Sequence, residues 1–171
     1  DGGSVDDVVD VNEFGDSSSS NSTIDASVLD DEGTNIQIQA SSDITVNEAI
    51  NLTTSGATLT LQAGRSILIN QNITTNNAAL TLTANETSAN GVIDASRASG
   101  AAVITMTGSA INTGSGSFTA TINAGTGNTT RTSGDITLDN ATAGSLVVTN
   151  KGPTPGSDIL DTGVLTIAGT S

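Results

Sequence analysis

The sequence predicts an all-β fold, a β-solenoid of about six or seven coils, on three observations. Short runs alternate aliphatic or β-branched residues with Thr, Ser, Gln or Asn, the pattern of a strand with one buried face. The early runs recur at a constant sequence offset, as Ile44 and Ile67 do. No stretch of useful length carries the apolar stripe of an amphipathic helix.

Residues 1–22 read as an acidic, Ser-rich linker or arm. Ten of the 18 carboxylates lie in residues 1–32, which contain no Lys or Arg. Low apolar content and like-charge repulsion favour a solvated segment. Its alternating Val5, Val8, Val9 and Val11 could instead add as a strand to a neighbour's open sheet edge. Calcium is the one cofactor suggested. Residues 10–15 read DVNEFG and match the first, third and sixth positions of an EF-hand loop. Asp7, Asp10 and Asn12 are the candidate ligands, although Phe14 stands where a ligand belongs and Asn21, not Glu, holds the twelfth position.

Residues 23–171 form the solenoid. Strand patterns begin at NIQIQ (35–39) and DITV (43–46) and continue through TLTLQ (58–62), SILI (66–69) and ALTLT (79–83). Later runs are VITMT (103–107), SFTATI (117–122), DITL (135–138), SLVVT (145–149) and VLTI (164–167). Gly, Asn, Asp and Ser separate them, as turns require. Ile36, Ile38, Ile44, Val46 and Ile50 recur, each at the same offset of 23, as Leu59, Leu61, Ile67, Ile69 and Ile73; Leu80 and Leu82 follow after a further 21. These side chains are the predicted stacked core. A unit of this size cannot bury its own apolar face, whereas stacked units can. Asn47 over Asn70 reads as a buried or turn-lining amide ladder. Ile136 and Ile159 continue the offset of 23, and Leu146 and Leu165, 19 apart, form a looser pair. Residues 85–91 read as an insertion, 108–134 carry no clear register, and 150–157 read as a loop shielding an open edge.

Composition excludes several functions. The chain has no Cys, His, Trp or Tyr and a net charge of −14. Thiol chemistry, Cys- or His-based zinc sites and the Ser-His-Asp triad are therefore ruled out. A nucleic-acid or anionic-membrane surface would need Lys and Arg clusters. No apolar run reaches the roughly 18 residues of a membrane helix, so neither nucleic acid nor membrane insertion is expected. With aromatics at 1%, the core must be aliphatic.

The stretch DITVNEAINLTTSGATLTLQAGRSILINQNITTNNAALTLTA (43–84), with SGDITLDNATAGSLVV (133–148), resembles the repeats of filamentous haemagglutinin-like exoproteins, the secreted partners of two-partner secretion systems. The resemblance covers roughly residues 34–84 well and 134–149 moderately. It implies a right-handed parallel β-helix on a bacterial, Gram-negative surface or in the secreted fraction, acting as an adhesin. Its implied partners are glycans or proteins of host or neighbouring cells, and end-to-end self-association as a filament is the alternative. The NPNG-type motif of that family's secretion domain is missing, so the match is to the repeat shaft.

Candidate sites are few. Asn-x-Ser/Thr sequons occur at Asn21, Asn51, Asn72, Asn85, Asn128 and Asn140. The candidates for glycosylation are Asn85, Asn72 and Asn51, with Asn85 the most accessible in its insertion. Thr58/Thr60, Thr81/Thr83, Thr105/Thr107 and Thr119/Thr121 suggest outward Thr rows, which could match an ice lattice, but the row breaks at its last step. A carbohydrate-cleaving site would need two facing carboxylates, for which Asp94, Asp135, Asp139, Asp158 and Asp161 are the supply. Their spacing gives no convergence and they read as turn residues. Arg65, Arg97 and Arg131 do not follow the coil period and read as isolated surface charges. The expected protein is not an enzyme.

Overall fold

The computed structural model describes residue 14 and residues 24–124, 132–152 and 156–169. It is a parallel β-helix of five coils, each contributing one strand to each of three sheets. The first coil holds β1 (Ile36–Ala40), β2 (Ile44–Val46) and β3 (Ile50–Asn51). The second holds β4 (Leu59–Ala63), β5 (Ile67–Ile69) and β6 (Ile73–Thr74), and the third β7 (Leu80–Ala84), β8 (Ala102–Met106) and β9 (Ala110–Asn112). The fourth holds β10 (Ser117–Ile122), β11 (Ser133–Leu138) and β12 (Asn140–Ala143), and the fifth β13 (Ser145–Asn150), β14 (Ile159–Asp161) and β15 (Leu165–Ile167). The sheets run β1-β4-β7-β10-β13, β2-β5-β8-β11-β14 and β3-β6-β9-β12-β15, with every pairing parallel.

The period-two pattern becomes alternate burial: β4, β7 and β8 each bury their first, third and fifth residues. In register, these residues stack into columns. The second sheet carries Ile44, Ile67, Ile104, Ile136 and Ile159, one isoleucine per coil. The first sheet carries Ile36, Leu59, Leu80, Phe118 and Leu146. Ile67, Ile104 and Ile136 are fully buried. The predicted core residues lie in these two columns and in those through Leu61, Ile69 and Ile73; Ile38 and Ile44, in the first coil, are only partly buried.

The coil number is five, fewer than expected, because the later coils are long. Phe118 stacks on Leu80, a step of 38 in sequence where the early coils step by 21 to 23. Leu146 and Leu165 do not stack: Leu146 pairs with Phe118 in the first sheet and Leu165 with Ala141 in the third. The extra length sits at a single corner, between the first and second sheets. There the connections are 85–101 in the third coil, 123–132 in the fourth and 151–158 in the fifth, whereas β11 and β12 are separated by Asp139 alone.

The connections at the other corners are shorter, the longest being 52–58. Gly144 alone joins β12 to β13, and a Cβ there would collide with the Ser115 carbonyl, so only glycine fits; Gly64, in the short second-coil turn between the first and second sheets, meets the Ser41 carbonyl in the same way. Asx side chains bridge the coils where the ladder is interrupted. Asn35 Oδ1 accepts from Thr58 N (3.1 Å), Asp43 Oδ1 from Ser66 N (2.9 Å) and Asn72 Oδ1 from Ala110 N (2.8 Å). Asp135 Oδ1 accepts from Asp158 N (2.8 Å) and Asn140 Oδ1 from Val164 N (3.1 Å). Each bridge supplies an acceptor to an N–H of the following coil. Asn70 donates to Asn47 Oδ1 at 2.9 Å, and this amide pair is exposed at its turn rather than buried.

Among the described residues before the first coil is a short helix, α1 (Ala26–Asp30), N-capped by the Asp25 side chain on Ser27 N. Ala26 and Leu29 join the core, Asp30 O accepts from Thr53 N, and Asp30 Oδ1 accepts from Asn51 N. The helix therefore covers β3 at the first end of the stack.

Candidate functional site

The long connections leave the sheets at one flank of the rod, and the richest polar chemistry lies at residues 85–101. Residues 85–101 fold back across the neighbouring coils. Ile93 N donates to Ser41 Oγ in the first coil (3.1 Å), and Ser41 Oγ donates to the carbonyl of Phe14 (3.0 Å). Phe14 is 5% exposed, beside Gly91. A phenyl ring from within the acidic segment is thus buried under the insertion.

Asn85 opens the insertion at φ 57°, a left-handed conformation that Asn tolerates better than most residues. Its amide donates to Asn123 O at 2.8 Å and accepts from Arg97 Nη2 at 2.7 Å. Arg97 Nε also donates to Gly64 O (3.0 Å), and its Nη1 lies 3.5 Å from Asp94 Oδ1. The Arg97 side chain is 6% exposed. Glu86 is buried too. Its Oε2 accepts from Asn90 Nδ2 at 2.6 Å and its Oε1 from Asn123 Nδ2, while Asn123 Oδ1 accepts from Lys151 Nζ at 3.2 Å. Two amides therefore hold the carboxylate of Glu86, and one of them connects it to the lysine of the last long connection. A buried polar group that is fully bonded rigidifies its surroundings.

Two arginines are accordingly not isolated surface charges. Arg97 is the buried centre of the insertion. Arg65 makes a two-pronged contact with Asp43, with Nε to Oδ1 at 2.7 Å and Nη2 to Oδ2, and its Nη1 donates to Ser99 O at 2.9 Å. Burial pushes the Asp43 carboxyl upward, but hydrogen bonds from Arg65 and from Ser66 N outweigh it and hold the group below the usual carboxylate range. The same contact raises Arg65. Arg131 lies outside the described residues.

The outward face of the first sheet is the second surface. One column reads Gln37, Thr60, Thr81, Thr119 and Val147; the next reads Gln39, Gln62, Thr83, Thr121 and Thr149. No residue of either column is charged. Gln62 Oε1 accepts from both Gln37 and Gln39 at 2.6 Å. Thr119/Thr121 stack directly on Thr81/Thr83, because the insertion separates them in sequence but not in space. Thr105 belongs to the second sheet, between Leu68 and Thr137. The apparent break in the Thr row came from placing Thr105/Thr107 in it, and the expected stacking of Thr58/Thr60 on Thr81/Thr83 is out of step by two residues, since Thr60 pairs with Thr81 and Gln62 with Thr83.

Of the glycosylation candidates, Asn51 and Asn72 are exposed, as is Asn140. Asn85 is 1% exposed with its amide bonded, so the expectation of an accessible Asn85 is overturned: the residue begins the insertion beneath it rather than at its crest. Asn21, Asn128 and the calcium candidates Asp7, Asp10 and Asn12 lie outside the described residues. Among the described residues no group of three or more His, Cys, Asp or Glu side chains could hold a metal ion. Asp139 and Asp161 accept backbone N–H groups at turns, and Asp135, within β11, accepts from Asp158 N of the next coil. Sequence reasoning missed the Asn85–Glu86–Arg97–Asn123 network; the one available signal was an Arg that disregarded the coil period. No family model, curated protein or solved structure matches the chain.

Proposed function

We propose that the chain is a non-catalytic shaft segment of an exported bacterial surface protein, presenting binding surfaces along a stiff rod. The observation that carries this reading is the placement of the long connections. Residues 85–101, 123–132 and 151–158 all emerge at one corner, while the aliphatic columns continue beneath them. A solenoid tolerates flank insertions because each coil contacts only its neighbours, and loops held on a rigid scaffold are where recognition concentrates. The resemblance to haemagglutinin-like repeats supports an adhesive role, with glycans or proteins of a host or neighbouring cell as partners. The exposed Asn, Thr and Gln side chains suit polar, hydrogen-bonding ligands.

The test is a binding screen of the purified chain against cell-surface glycans and whole cells, alongside a polysaccharide-cleavage assay. Binding is expected without cleavage. It should weaken when Lys151, exposed on the corner carrying the long connections, is replaced by Glu. Cleavage of any polysaccharide would overturn the non-catalytic reading. Binding unaffected by changes along this corner would remove the corner as the recognition surface.

A further inference from the structure

We propose that Lys151, Asn123 and Glu86 form a self-processing site, which joins the Lys151 and Asn123 side chains through an isopeptide bond and so staples the fifth coil to the fourth. Lys151 is the single lysine of a sequence that has no cysteine.

The register of the first sheet brings the reacting pair together. Ile122 pairs with Ala84 on one side and with Asn150 on the other. The residues that follow, Asn123 and Lys151, therefore continue the ladder on adjacent coils. Asn123 N donates to Ala84 O and Lys151 N donates to Ile122 O, each at 3.0 Å. Paired strands lie about 4.8 Å apart, so the two side chains meet without any movement of the backbone. Lys151 Nζ lies 3.2 Å from Asn123 Oδ1, the oxygen bonded to Cγ. At the other end of the same amide, Nδ2 donates to Glu86 Oε1. Glu86 is 2% exposed, and Asn90 Nδ2 fixes its second oxygen at 2.6 Å. Among the described residues Lys151 forms no ion pair. Its amine meets an amide carbonyl instead of a carboxylate that would hold it as ammonium.

An amine, an amide carbon and a carboxylate beside the leaving nitrogen are the complete set for acyl transfer. The Lys151 ammonium gives a proton to Glu86, and the freed lone pair on Nζ attacks Asn123 Cγ. The Nζ–Cγ bond forms as the carbonyl pair moves onto Oδ1. When the carbonyl re-forms, the Cγ–Nδ2 bond breaks. Glu86, already in contact with Nδ2, passes protons from the attacking nitrogen to the leaving one. Nζ loses two protons in all and the departing NH2 gains both, so ammonium leaves and Glu86 ends as the carboxylate it began as. No oxidant, metal or co-reactant enters. Holding the partners in register replaces an encounter in solution by a reaction within one molecule, and escape of ammonium makes it one-way.

The bond crosses from the fourth coil to the fifth at the corner of the long connections. The large exposed hydrophobic residues of the described chain, Val147, Ile159, Leu160, Val164 and Ile167, all lie in the fifth coil. Burial holds that coil less firmly than its neighbours, so the tie falls where packing contributes least.

The experiment is mass spectrometry of the purified full chain, intact and after denaturation and trypsin digestion. Trypsin cuts after Arg97, Arg131 and Lys151. The expected intact mass is one ammonia below that of the sequence. Residues 98–131 and 132–171 should emerge joined, because an acylated lysine is not cleaved. Lys151→Arg keeps the charge without the primary amine and should give the full mass and separate peptides. Glu86→Gln keeps the size of the side chain and should lower the joined fraction, in protein of equal age, at least tenfold. Both variants should keep the far-UV spectrum of the wild type. A wild-type chain of full mass that is cut after Lys151 would overturn the proposal. So would ammonia lost without the joined peptides, the mark of a succinimide at an asparagine, or an undiminished joined fraction in Glu86→Gln.

Discussion

Replacing Ile104 by Ala at the middle of the isoleucine column tests the in-register interior directly. Ile104 is fully buried between Ile67 and Ile136. Rigid strands on both sides leave little room for collapse, so the loss combines lost burial with a cavity and should be about 3–4 kcal/mol. The same change at Ile159 gives an internal comparison. That side chain is 51% exposed. Roughly half of the 1.5–3 kcal/mol for complete burial is at stake and no closed cavity forms, so the cost should be about 1 kcal/mol. Urea unfolding followed by far-UV circular dichroism in dilute protein measures both. The midpoints should order as wild type, Ile159→Ala, Ile104→Ala, at a common slope. In melting temperature, each kcal/mol corresponds to about 2–4 °C for a chain of this size. Equal costs at the two positions, or a silent Ile104→Ala, would refute a single stacked column with a buried middle and an open end.

Gly64→Ala should lower the melting temperature by the equivalent of about 1–3 kcal/mol, the usual cost of forcing an extra carbon into packed structure, because its Cβ would meet the Ser41 carbonyl. Arg97→Ala leaves Asn85 Oδ1 and Gly64 O without their donor. It should cost about 2 kcal/mol and speed amide exchange within 85–101 more than in the strands, measured by hydrogen–deuterium exchange. Asp43 has its folded-state pKa lowered, so its contribution is present above the unfolded value and disappears as the pH falls through the folded one. Acid titration of stability should therefore fall below the ordinary value of 3.8, and Asp43→Asn should remove that part of the slope. An enzyme that glycosylates Asn-x-Ser/Thr sequons should modify Asn51 and Asn72 in the folded chain and leave Asn85 untouched until unfolding, as peptide mass spectrometry would read.

The first two coils were legible in the sequence because nothing interrupts them: one constant offset places Ile44 against Ile67 and Ile50 against Ile73, as the strands pair. Beyond Leu82 that guide fails for a physical reason. A solenoid constrains the register of its strands, not the length of chain at its corners, so the step from Leu80 to Phe118 spans one coil as readily as the shorter step from Leu59 to Leu80. The pairing of Leu146 with Leu165 was an accident of spacing between different sheets. The Asn85–Arg97 network was illegible because its members come from separate corner connections with no common period. Burial of Asn85 was hidden by its polar, turn-like neighbours, which resemble a loop crest.

The confinement of the long connections to one corner has a consequence for descent. At two corners no connection is longer than the seven residues 52–58. The third has accepted three additions of different size without moving a column. Variation by insertion is therefore channelled along a single line of the molecule. Lineages of this rod can alter their loops one at a time, each change a local experiment, while the interior that keeps the rod straight is inherited intact.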